Sequence, residues 1–72
     1  MKKTYKMENL ECAHCAAKME AAISKLPGVE SCSVNFLMQK VTIEAEKDAL
    51  PEILKQADAC CRKVERDCRI LY

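Results

Sequence analysis

At 72 residues and a formal net charge of +1, the chain is expected to form one domain, residues 1–72, whose small core supplies about 3–5 kcal/mol. The balanced charge, with no basic stripe, argues against nucleic acid as a partner, and no run approaches the roughly 20 apolar residues of a membrane span. The start MKKTYKMENLEC lacks the apolar core of a secretory signal, which points to the cytosol. In a reducing compartment the six cysteines read as thiols or metal ligands, although an even number would also suit a disulfide framework.

In chain order, Lys2–Glu8 alternates, with Tyr5 and Met7 on one face, as a half-buried strand does. After Cys12-Ala13-His14-Cys15 the apolar positions Met19, Ala22, Ile23 and Leu26 keep one side of a helix, which Pro27-Gly28 stops. Val29–Phe36 alternates again, with Cys32, Val34 and Phe36 together, and Leu37-Met38-Gln39 reads as a turn. Lys40–Glu46 is the cleanest strand, with Val41, Ile43 and Ala45 facing in. Asp48–Pro51 opens a second helix, because proline is tolerated in the first turn. That helix carries Ile53, Leu54, Ala57, Cys60, Cys61 and Val64 on one broad face and is expected to stop near Arg66. A last strand is expected over 67–72. Two strand-helix-strand units joined by a hairpin predict an α+β, ferredoxin-like βαββαβ sandwich: a four-stranded antiparallel sheet with both helices on one face.

The chemistry concentrates at Cys12 and Cys15. A helix's first turn offers unpaired N–H groups and a positive dipole end, and both favour thiolate, the form that binds metal. A CxxC pair also serves redox chemistry, but the long parallel strands of a thioredoxin-like fold are missing here. Met7, Met19 and Met38 sit at core-compatible positions and read as packing, as does Cys32 beside Val34 and Phe36. No phosphate-cradling loop and no Ser/His/Asp set is present, so the chain by itself is not expected to be an enzyme.

The stretch LECAHCAAKMEAAISKLPGVESCSVNFLMQKVTIEAE resembles the heavy-metal-associated domain of soluble metallochaperones and of the N-termini of metal-transporting P-type ATPases. The likeness rests on the CxxC pair, the Ala-Ala-Lys-x-Glu helix start, Leu26-Pro27-Gly28-Val29, and Ser33-Val34-Asn35-Phe36 with Lys40. It is similar to the zinc, cadmium and lead branch, in which an acidic residue, here Glu11, precedes the first cysteine. Leu10 takes the place of a methionine that anchors the loop in the core, and Asn9 stands where glycine is common, since asparagine tolerates left-handed backbone.

The resemblance implies a site of Cys12, Cys15 and Glu11. Two thiolates suffice for Cu(I), whereas Zn²⁺ favours four tetrahedral donors and accepts a carboxylate oxygen. Three donors leave one position open for exchange. His14, inside the motif, is expected to point outward. Cys60, Cys61 and Cys68 lie toward the same edge of the sheet; packing is their default role, with an additional soft ligand for Cd²⁺ or Pb²⁺ as the alternative. The implied function is capture and transfer of Zn²⁺, Cd²⁺ or Pb²⁺ as the N-terminal domain of an exporting P-type ATPase. Its partners would be the transport-site or actuator regions of that membrane protein, or a metallochaperone, with Arg62 and Lys63 tempering the site's charge. A free-standing Cu⁺ chaperone and a thiol redox module are the alternatives.

Overall fold

The computed structural model describes all 72 residues, in the order β1 (Lys2–Glu8), α1 (Ala13–Ser24), β2 (Val29–Asn35), β3 (Lys40–Ala45), α2 (Leu50–Val64) and β4 (Arg69–Leu71). Alternation does what it predicts in β3, where Val41, Ile43 and Ala45 are fully buried. The β2–β3 hairpin pairs Val34 with Val41, and β1 pairs antiparallel with β3, Tyr5 opposite Val41. The sheet order is β2-β3-β1-β4, so β2 and β4 are the edges. The fold is the expected βαββαβ sandwich, with both helices covering one face.

In α1 the buried side chains are Ala16, Met19 and Ile23, one turn apart; Ala22 is only half-buried and Leu26 packs against the core from beyond the helix end. Gly28, at φ +89°, makes the turn into β2, a conformation that costs residues with a Cβ about 1–2 kcal/mol. Helix α2 has Pro51 in its first turn, Glu52 near its N-terminus and Arg62 and Lys63 in its last turn, a polarity that suits the helix dipole.

Three expectations require correction. Met38 is 59% exposed rather than packed, because it rides on the β2–β3 turn, where its N–H donates to Asn35 Oδ1 at 3.0 Å. Helix α2 stops at Val64 instead of near Arg66, since Glu65 is already extended and the chain turns back at Arg66 and Asp67. The last strand covers only Arg69–Leu71, opposite Lys6–Glu8. Beyond Glu8 the backbone swings away at Asn9, whose φ is +61°, so Asp67 and Cys68 have no strand to pair with.

On each edge of the sheet a helix carboxylate accepts one strand N–H. Glu20 of α1 accepts from the Val34 N–H at 2.8 Å, and Asp58 of α2 accepts from the Ile70 N–H at 2.9 Å. Each bond satisfies an edge donor that would otherwise be free to pair with another chain.

Candidate metal centre

The connection from β1 to α1 is held from two sides. Leu10 is buried as the anchor, and the Gln39 side chain braces its peptide group in both directions: Oε1 accepts from the Leu10 N–H at 3.1 Å while Nε2 donates to the Leu10 carbonyl. Asn9 Nδ2 donates to the Asp67 carbonyl at 3.0 Å, tying the loop to the α2–β4 connection. The rim of the sheet that carries the CxxC motif is therefore built from three separate segments.

Cys12 is the N-cap of α1, and its Sγ accepts from the Cys15 N–H at 3.3 Å. This backbone bond, followed by a side-chain bond from Cys15, lowers the Cys12 pKa. The converse holds for Cys15. Its hydrogen bond to Cys12, then burial, then a hydrogen bond with the Glu65 carboxylate push it up to about 11. The local hydrogen bonds thus favour thiolate at Cys12 over thiolate at Cys15, and a soft cation would displace the thiol protons.

Sequence reasoning passed over Glu65. This residue caps α2, its N–H donating to the Cys61 carbonyl at 2.9 Å, and its side chain lies against Cys15. Its Oε1 is buried without a hydrogen-bond donor. A carboxylate oxygen in that condition is costly unless something positive meets it. The signal in the sequence was its position four residues after Cys61, at the end of a helix aimed at the CxxC edge. Glu11, by contrast, is exposed and faces a polar groove with Arg66 and Asp67. No three His, Cys, Asp or Glu side chains stand within ligating reach of one point. Three-donor binding at this rim would require a side chain to move.

His14 is exposed at the second helical position. Of the remaining cysteines, Cys61 and Cys68 are fully buried, and Cys32 and Cys60 pack partly against the core. Burial pushes Cys61 and Cys32 each up to about 12 and also raises Cys68. All four serve as packing groups in this structure. Arg62 is engaged by Asp58 at 3.2 Å. No helix is long and apolar enough to cross a membrane.

A ferredoxin-like sandwich with a thiol pair at the start of its first helix defines a small metal-binding module. The heavy-metal-associated domain model matches residues 4–63, and the chain belongs to that family. It is similar to the probable copper-transporting ATPase PacS of Synechocystis sp., 41% identical over 51 residues, 71% of this chain and 7% of that protein. It is also similar to the cadmium-transporting ATPase of Staphylococcus aureus, 36% identical over 55 residues, 76% of this chain and 7% of that protein. Among solved structures, the N-terminal domain of PacS from Synechocystis superposes with a TM-score of 0.68 and 28% identity, covering 100% of this chain and 98% of that one. The chain therefore spans a small fraction of these curated relatives. It is a heavy-metal-binding module, not a catalyst by itself.

Proposed function

We propose that the chain captures Zn²⁺, Cd²⁺ or Pb²⁺ through Cys12 and Cys15, with carboxylate assistance, and passes the ion on by ligand exchange as the N-terminal domain of a metal-exporting P-type ATPase. The observation that carries this reading is Glu65, whose buried, unpartnered oxygen stands beside the thiol pair. A carboxylate adds little to Cu(I), which is satisfied by two thiolates, but completes a divalent borderline ion. Glu11 offers a second carboxylate from the solvent side. The thiols lie at the rim of the sheet, half-buried, so an acceptor's ligands can reach the ion while the first bonds are still breaking. The cadmium-transporting relative is consistent with this reading.

Cu⁺ capture is the second reading, favoured by the 41% identity to a probable copper-transporting ATPase. Anaerobic titration with Cu⁺, Zn²⁺ and Cd²⁺ against a competing chelator separates the two. Stronger competition for Zn²⁺ and Cd²⁺ that depends on Glu11 and Glu65, with Cu⁺ binding indifferent to both, supports the divalent reading. Loss of either carboxylate without effect on any metal refutes it. Binding that persists after both Cys12 and Cys15 become serine refutes the site altogether.

A further inference from the structure

Beside the CxxC loop lies an open groove of about 370 Å³, where the end of α2, the α2–β4 connection and the ends of β1 and β4 meet. That volume is at the lower end of small-molecule sites, about 300–1,000 Å³. Its walls are almost wholly polar: Glu8, Glu11 and Asp67 against Arg62, Arg66 and Arg69. Glu8 and Arg69 are even cross-strand partners. Yet the protein's one ion pair is Arg62 with Asp58. Arg62 is thus engaged outside the groove, and the other five charges that line it form no ion pair with one another.

A groove of this kind suits a ligand that itself carries both signs. One end of it is at Glu11, next to Cys12. Borderline ions travel with ligands of their own, and an associative exchange passes through a state in which donor and acceptor ligands share the ion. The remainder of the donor molecule must then rest beside the loop.

We propose that this groove receives a zwitterionic thiol peptide of the glutathione class, its carboxylates on Arg66 and Arg69 and its ammonium on the acidic wall, so that its thiolate arrives at the ion held by Cys12 and Cys15. This rests on the metal site proposed above. In the exchange, two metal–sulfur bonds to carrier thiolates break and two to Cys12 and Cys15 form. Each proton displaced from Cys12 or Cys15 leaves on a departing carrier thiolate, which exits as thiol. No electrons change hands.

The test compares Cd²⁺ delivered from its glutathione complex with Cd²⁺ delivered from its mercaptoethanol complex, which has the same sulfur chemistry but no carboxylates. Glutathione is expected to deliver about tenfold faster, the scale of electrostatic steering, and R66Q/R69Q is expected to remove that advantage. Equal rates from the two donors, or an advantage that survives in the variant, overturns the proposal. A metal-free arm titrates the chain with S-methylglutathione and follows backbone amide resonances. Shifts at Glu8, Arg66 and Arg69 that vanish in R66Q/R69Q support the groove, and their absence refutes it. If C12S/C15S still takes Cd²⁺ from both donors, the metal site is wrong, and the S-methylglutathione shifts then decide the groove alone.

Discussion

Replacing Glu65 with alanine is expected to have opposite effects on the free and the metal-loaded protein. In the free protein Oε1 is buried with no donor, a condition that costs about 1–3 kcal/mol. Glu65 as a whole is only half-buried, which places the effect toward the lower end, about 1–2 kcal/mol, or roughly 5- to 30-fold in an equilibrium constant. A divalent ion beside Cys12 and Cys15 removes that penalty by supplying the missing positive partner. Glu65→Ala should therefore leave thermal stability of the metal-free protein unchanged or slightly raised, while weakening Zn²⁺ and Cd²⁺ binding by about that factor. Glu65→Gln keeps the shape but replaces the anionic donor, and should weaken the same two ions. Cu⁺ binding should be unaffected by either substitution. Chelator competition measures the affinities, and circular dichroism melts measure the stability. The reasoning fails if Zn²⁺ and Cd²⁺ affinities are unchanged in both variants, or if Cu⁺ affinity falls by the same factor.

Gly28→Ala should destabilise the fold by about 1–2 kcal/mol through its positive φ, because the added Cβ meets Ile53 Cδ1 at an acceptable 3.4 Å; a melting temperature lower by roughly 4–8 °C per kcal/mol would show it. Cys12, with its lowered pKa, should be alkylated before Cys15, whose thiol persists up to about 11. Since thiolate is the reactive form, the Cys15 rate should climb as pH rises toward that value while Cys12 levels off earlier. Peptide mapping after iodoacetamide pulses across the pH range reads both, and equal rates at neutral pH would contradict the assignment. Removing both edge carboxylates, as E20A/D58A, frees the Val34 and Ile70 N–H groups and should promote self-association, visible by light scattering; a strictly monodisperse variant would show that the edges need no such cover.

Much of the architecture was readable from local pattern. The alternation of Val41, Ile43 and Ala45 and the helical spacing of Met19 and Ile23 specify which side of each element is apolar, and burial follows from that alone. The position of the CxxC pair at a helix start was legible in the same way, since the cap geometry of Cys12 depends on residues within one turn of it. Where local pattern misled, as with Met38, the residue sat on a turn where periodicity carries no information.

The rest was decided by convergence between distant segments. Glu65 meets Cys15 across fifty positions of sequence, Gln39 braces Leu10, and Asn9 reaches Asp67. Each of these contacts depends on strand register and on where α2 halts, and periodicity encodes which face a residue occupies but not which distant residue it will meet. Residue types and spacing therefore determined the thiol pair and the layers around it. The carboxylate that completes the pair's surroundings was settled only when the second helix packed down and ended beside them.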